Sequence, residues 1–332
     1  MGIFRSDEVG VGDRVVVRRR LPDTPGHYTD VIGHILSTDP LTVRPQSVGG
    51  LPSSAPAVEI PAELVQVVKR LSPRTIRNSD IRAVEVATAK AFPGIEHTWT
   101  ADGQWLMRAG DGITERSNSA APLGRSAGFA PLPLEEIAAF YRRHGLPVKV
   151  LIPERIGRPA EKLVEAGGWE LGPEIIVMTR SLGDLPAPEQ EPGLIFSVDD
   201  QPDEDWLALY NFRGHPLPVH ALELLRGQID GRMGFGRLST PTGETVAITR
   251  ATLTSSEDDR LWLGYSAVEV AAAYRRRGLG TRLGAEMLSW GAANEATDAY
   301  LQVIATNTAG RALYAKLGFI EHHRHRYARM PE

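Results

Sequence analysis

Three consecutive arginines, Arg275, Arg276 and Arg277, precede Gly278 and Gly280 where apolar residues begin to recur every four positions, at Leu279, Leu283 and Met287. The first turn of a helix carries partial positive charge and N–H groups without acceptors, so it favours anions by a few tenths to ~1 kcal/mol. Cations are misplaced there unless an anion lies between them and the helix. Phosphate resolves the conflict, because guanidinium groups pair with it in bidentate geometry and glycine lets it reach the backbone without meeting a Cβ. The preceding segment, LWLGYSAVEV at 261–270, reads as a strand. Residues 275–280 therefore form a strand-turn-helix junction suited to a pyrophosphate.

The rest of the chain bounds what such a junction can serve. Its 332 residues suggest two or three domains. Composition is 42% apolar and 23% charged with a net charge of -4, without the basic excess that nucleic-acid-binding domains carry. Cysteine is absent, which removes disulfides, thiolate nucleophiles and cysteine metal sites, and no metal is expected. No window approaches the ~20 apolar residues of a membrane span and no signal pattern opens the chain, so the cytoplasm is the expected location and no membrane partner is expected.

Two Pro-rich stretches, at 44–57 and 183–193, interrupt the periodic segments, and the second reads as a domain boundary. Short β-rich runs separated by turns occupy residues 1–73, as in a small barrel of the Src-homology-3 or Tudor type that could serve a protein partner. Arg18, Arg19 and Arg20 there suit a solvated edge strand better than a phosphate or acidic partner. From residue 76 helices and strands alternate, with helices expected over 78–92, 133–145 and 158–168 and strands over 104–110, 113–120, 147–153 and 174–182. The same style resumes after 190. An internal repeat underlies it: AEKLVEAGGWEL at 160–171 aligns with GRALYAKLGFIE at 310–321, setting Leu163 on Leu313, Gly168 on Gly318 and Trp169 on Phe319. The expected architecture is α/β (α+β), with a small all-β barrel over 1–73 and two related mixed-sheet units flanked by helices over 74–186 and 187–332.

The strand YSAVEV, the string RRRGLG at 275–280 and NTAGRALYAKLGF at 307–319 together resemble the acetyl-CoA site of the GNAT superfamily of N-acetyltransferases. The resemblance covers residues 190–332. It implies acetyl-CoA as co-substrate, an amine acceptor on a small molecule or protein, and direct transfer in a ternary complex without an acyl-enzyme. Backbone amides from Arg276 through Gly278, Leu279 and Gly280 to Thr281 would hold the pyrophosphate, with Arg275 and Arg277 nearby. Backbone groups of Val268 and Val270 would meet the pantetheine arm and polarise the thioester carbonyl. Asn307 would bond the arm or a water, Arg311 could reach phosphate, and Tyr314, seven residues after Asn307, would protonate the departing thiolate.

Glu269 is a candidate base, although strand alternation aims it away from the face of Val268 and Val270. Gly264, where the histone-acetylating branch places a glutamate, offers no carboxylate. Asp258, Asp259, His215 and His220 remain candidates for a water relay. In the first unit Gly157 stands for Asn307 and Val164 for Tyr314, so that unit resembles a degenerate copy in a tandem GNAT protein. A CoA-binding sensor without turnover, recruiting a partner through the barrel, is the alternative.

Overall fold

The computed structural model describes residues 3–4, 8–22, 24, 26–185, 193–212, 215–216 and 219–331. The chain divides into two compact units, residues 1–77 with 321–324 and residues 78–320 with 325–332.

The first unit holds β1 (Arg14–Arg20), β2 (Tyr28–Thr38), β3 (Leu41–Pro45), β4 (Val58–Glu59) and β5 (Val65–Arg70). They form an antiparallel sheet in the order β4-β3-β2-β1-β5. Alternation drives Val15 and Val17 inward beside Ile35, Val43 and Ile60, burying one face and leaving Arg18 on the other. The expectation that Arg18–Arg20 blunt an edge does not hold, because β1 is hydrogen-bonded on both sides, to β2 and β5. Arg18 instead meets Asp30 directly across the ladder through two 2.9 Å hydrogen bonds. That exposed pair lowers the carboxyl pKa of Asp30 and gives Arg18 a partner of its own.

The second unit opens with α1 (Asn78–Ala91), β6 (Glu96–Trp99), β7 (Leu106–Ala109), α2 (Leu134–Arg143), β8 (Lys149–Pro153), α3 (Arg158–Glu165), β9 (Glu170–Leu171) and β10 (Ile175–Ser181). It continues with β11 (Ile195–Asp199), α4 (Glu204–Leu209), β12 (Asn211–Phe212), β13 (His215–Pro216), α5 (Val219–Gln228), β14 (Arg232–Ser239), β15 (Thr245–Ser255) and β16 (Leu261–Val270). It closes with α6 (Leu279–Ala293), β17 (Asp298–Ile304), α7 (Thr308–Lys316) and β18 (Ile320–Arg329). The strand expected over 113–120 is instead a series of turns, because Asn118 spends its side chain on the loop: it accepts from the N–H of Gly110 and Gly112 and donates to the Thr114 carbonyl.

One twisted sheet runs β11-β14-β15-β16-β17-β10-β18-β8, with β9 on β18. Helices cover both faces. Leu263, Tyr265, Leu301 and Val303 join Met287 of α6 and Leu317 of α7 in one core. Their strand neighbours Trp262 and Tyr300 pack with Val84 and Ala87 of α1. Because side chains alternate along a strand, these are opposite faces of the sheet. On the α1 face, Phe92, Trp206 of α4, Leu222 and Leu225 of α5 and Ile248 extend the core.

The stretch around 186/187 does not mark a break between separate sheets. β10, from the first half, pairs along its length with β17, from Ile175 opposite Ile304 to Ser181 opposite Asp298, and it lies between β17 and β18. A fragment of residues 190–332 leaves that edge of β17 unpaired and uncovers Leu301 and Val303. We expect it to show no cooperative urea transition by near-UV circular dichroism, whereas the full chain does; a sharp transition in the fragment would show that β17 is stable without β10.

Candidate active site

The sheet opens at its centre. β16 and β17 run parallel and pair only from Trp262 opposite Asp298 to Gly264 opposite Tyr300. β16 then continues to Val270 and β17 to Ile304, so the facing edges beyond Tyr265 and Leu301 are not paired with each other. Two features mark where the pairing stops. A Cβ on Gly264 would sit 2.7 Å from the Tyr300 hydroxyl and overlap Thr252 Oγ1, so the crossing point is filled by side chains from the neighbouring strands. Further along, Ile248 faces Glu269 but Arg250 faces Ser266, leaving Thr249 opposite both Ala267 and Val268. This β-bulge holds Ala267 at φ +58, a left-handed conformation costing of order 1–3 kcal/mol outside glycine, and Thr249 Oγ1 pins it through the Ser266 carbonyl at 2.9 Å. The same contact at Gly264 explains why no carboxylate stands there.

Val268 and Val270 pack beside Leu279 and Leu283 on the α6 side, while Glu269, opposite Ile248 in the ladder, shares that residue's α1 face, as strand alternation requires. Burial raises the Glu269 pKa and the Arg275 charge opposes the rise. Arg275 is anchored through Nε to the Val270 carbonyl at 3.0 Å. Across the opening, the Tyr314 ring meets Tyr265 and Phe319 edge to face at 6.0 and 6.3 Å. Burial, with a contribution from the Glu269 charge, pushes the Tyr314 hydroxyl up to about 12. Its hydroxyl therefore keeps its proton throughout the neutral range. The fold thus gathers Arg275, Glu269 and Tyr314 at one mouth.

The turn into α6 uses two left-handed residues, Arg276 at φ +63 and Gly278 at φ +78, the latter serving as N-cap. Among the described residues, none of the N–H groups from Arg276 to Gly280 donates to a backbone carbonyl. The Thr281 N–H does, turning back to the Gly278 carbonyl at 2.9 Å, so the open amides end one residue earlier than expected. Successive amides in such a turn form an anion-binding concavity. Arg276 and Arg277 are exposed, and Arg277 lies 5.2 Å from the Tyr274 ring.

Gly280 has a different duty. A Cβ there would stand 2.9 Å from Leu313 Cδ1, and one on Gly284 would overlap Leu317, so the pair lets α7 lie close on α6. That contact carries Tyr314 toward the opening.

Asn307 caps α7, its Oδ1 accepting from the Gly310 N–H at 2.9 Å. Arg311 is tied to the Ala305 carbonyl at 3.1 Å. Asp258 and Asp259 occupy the β15–β16 turn, roughly 23 Å along the strand from Val268 at about 3.3 Å per residue. Burial favours the neutral Asp258, but hydrogen bonds from Arg260 and Ser256 outweigh it and lower the pKa. The geometry thus removes both aspartates from a relay. The His215 side chain lies outside the described residues, and His220 is exposed on α5.

In the first half, Arg125 and Gly128 repeat the spacing of Arg275 and Gly278, with Ala130 in place of the second glycine. Four of its amides are occupied: Ser126 donates to Gln104 Oε1, Ala127 to Gly124, and Phe129 and Ala130 to the Ser126 carbonyl. At Gly157 a Cβ would press on the Pro153 carbonyl at 2.8 Å, leaving no room for an asparagine.

Residues 78–328 match the family described as probable histone acetyltransferase Rv0428c C-terminal, and residues 9–69 match the Rv0428c N-terminal Sm-like domain. The probable histone acetyltransferase Rv0428c of Mycobacterium tuberculosis is 36% identical over 321 residues, 96% of this chain and 95% of that protein. An uncharacterized N-acetyltransferase, YobR, of Bacillus subtilis is 26% identical, over 74% of this chain and 97% of that one. Among solved structures, a GCN5-related N-acetyltransferase from Kribbella flavida superposes with a TM-score of 0.58 over 77% of this chain and 97% of that one, at 16% identity. A tandem GNAT protein from the clavulanic acid biosynthesis pathway gives 0.50 over 75% and 88%, also at 16%.

The packing at the turn separates the two glycines. Gly280→Val drives a branched side chain into Leu313 and is expected to lower stability by about 1–3 kcal/mol, read as a reduced urea midpoint. An unchanged midpoint would show that α7 yields freely at this contact.

Proposed function

The chain belongs to the GNAT superfamily of N-acetyltransferases, in the family of the mycobacterial Rv0428c protein, and on that footing we propose that it moves an acetyl group from acetyl-CoA directly to an amine at the opening between β16 and β17. The observation that carries the reading is the row of amides from Arg276 to Gly280 without backbone acceptors, beside an unpaired strand edge of the same sheet. Acetyl-CoA fits this chain: those amides with Arg276 and Arg277 would hold its pyrophosphate, and the edge at Val268 and Val270 would hold its extended arm. Bound there, it supplies an acetyl thioester as electrophile.

The residues around the opening divide the remaining work. The acceptor must be neutral to attack, and an ammonium of pKa ~10.4 costs ~4.6 kcal/mol to deprotonate at pH 7, at 1.36 kcal/mol per unit. Glu269, with its raised pKa, is the carboxylate at the mouth and takes up that proton directly or through water. Backbone N–H groups of the bulged strand face the position where negative charge gathers on the carbonyl oxygen. As the new C–N bond forms and the C–S bond breaks, a thiolate departs, and Tyr314, whose pKa of about 12 keeps its proton in place, donates to it. No acyl-enzyme is needed, in keeping with a chain that has no cysteine.

Titration calorimetry should give one acetyl-CoA per chain and no heat with ATP. Binding without release of CoA to any amine would favour a sensor. Tyr314→Phe keeps the ring, so acetyl-CoA affinity should persist while kcat and kcat/KM fall together by ~100- to 10,000-fold. Turnover equal to the parent, with chemistry rate-limiting, would reduce Tyr314 to packing.

For Glu269 the sign follows from its raised pKa. The carboxylate is the active form, so activity should rise with pH through a value above the ordinary carboxylate range. Glu269→Gln should erase that limb; a limb that survives belongs to another group.

A further inference from the structure

On the α1 side of the opening, two guanidinium groups lie by the same Phe92 ring with no carboxylate partner among the described residues, and one of them, Arg116, lines a cleft. Arg250, on β15, is 2% exposed. Its Nη1 donates to the Tyr210 hydroxyl at 2.8 Å and its Nη2 to Ser266 Oγ at 3.3 Å, while its buried Nε has no partner. Arg116 stands 4.3 Å over the Phe92 ring, and Arg250 lies 5.4 Å from the same ring. Burial lowers the Arg116 pKa and the Arg250 charge adds to the effect; the groups opposing them are the phenols of Tyr327, Tyr210 and Tyr300.

Like charges withdrawn from water destabilise a fold unless something answers them, and aromatic faces repay only a fraction. The arrangement is nevertheless built to persist. Asn118, 2% exposed, ties the loop that presents Arg116 at Gly110, Gly112 and Thr114. The same loop is secured by Arg108, which donates to the Ser119 carbonyl and hydroxyl.

Their position supplies a reason. Phe92, Arg116, Ser266, Tyr300 and Gln302 line one cleft together with Gly264, the last paired residue of β16 before the strands diverge. Gln302 adds a buried Nε2 without a partner. The cleft therefore presents donors and positive charge on the side of the sheet opposite α6.

The geometry points to an acceptor that carries an anionic group, a carboxylate or a phosphate, in the same small molecule as its amine, bound in the cleft by Arg116 and Gln302 with the buried Arg250 charge behind them. This rests on acetyl transfer occurring at the β16–β17 opening and names its substrate class. Bidentate pairing with guanidinium sets the anion and so orients the amine toward the thioester. A lysine side chain on a basic peptide brings a cation to two arginines and is disfavoured.

The test uses the full chain with saturating acetyl-CoA and follows release of CoA. The acceptors are free amino acids, the same amino acids as C-terminal amides, phosphoethanolamine beside ethanolamine, and an amidated lysine-rich peptide. We expect an amino acid or the phosphate monoester to exceed its neutral counterpart, and which of the two does so identifies the anion. Arg116→Gln should raise KM for that acceptor ~10- to 100-fold, the value of one or two charge-assisted hydrogen bonds, while acetyl-CoA affinity is kept. Its Tm should hold or rise, because an unanswered cation is removed. Arg250→Lys is the second variant and should act in the same direction on KM. Equal use of neutral amides or the peptide, an unchanged preference in both variants, or no turnover of any anionic amine while acetyl-CoA still binds would overturn the proposal. Failure of the unaltered chain to bind acetyl-CoA would instead strike the reading beneath it.

Discussion

The separation of two parallel strands after three paired positions governs this molecule. β16 and β17 are held together at Gly264 by the Tyr300 and Thr252 side chains that fill the space a Cβ would need, and they diverge where the bulge at Ala267 and Val268 turns β16 away. Backbone polar groups left without a ladder partner must be satisfied by water or by a ligand, so the divergence creates a binding edge in the middle of a sheet. Everything placed around it depends on that edge: α6 begins at its end, α7 brings Tyr314 beside it, and α1 closes the opposite face. The left-handed Ala267 is the local cost of the arrangement.

The two halves of the repeat are joined by backbone, not merely adjacent. β10 is the antiparallel neighbour of β17 and is followed in the sheet by β18. The first half has Gly157 and Val164 at the positions of Asn307 and Tyr314, and four amides of its own arginine-glycine turn, those of Ser126, Ala127, Phe129 and Ala130, are spent internally. What it contributes lies elsewhere: α1 under Trp262 and Tyr300, Phe92 at the cleft, and the loop that carries Arg116. The first half thereby builds a wall of the opening in the second.

Electrostatics differ in kind from one part of the opening to another. At the end of β16 Arg275, Glu269 and Tyr314 influence one another, with Glu269 raised by burial and restrained by Arg275. On the α1 side Arg116 and Arg250 oppose each other and are tempered by aromatic rings and hydroxyls. A thioester chemistry that moves protons suits the first environment, and anion recognition suits the second.

Short-range physics was legible in the residues themselves. Helical spacing of Leu279, Leu283 and Met287, a strand ending at Val270, and arginines misplaced at a helix start together announced the turn, and the match of 160–171 to 310–321 announced the repeat. β14 left a weaker trace, because Gly234 and Gly236 dilute its pattern; both are needed where Trp290 and Met287 of α6 press on the strand. Gly280 looked like a ligand-facing glycine, and the structure adds a packing duty that sequence could not show, since Leu313, which a Cβ there would meet, lies 33 positions away in the chain. Arg116 and Arg250 gave no signal at all: 134 residues separate them, and each alone is an ordinary arginine. Local periodicity and capping are written in neighbouring residues, so the sequence by itself determined the elements, the turn and the family. Which strand lies between β17 and β18, and which charges meet at the cleft, are long-range outcomes of closing one sheet, and only the tertiary structure decided them.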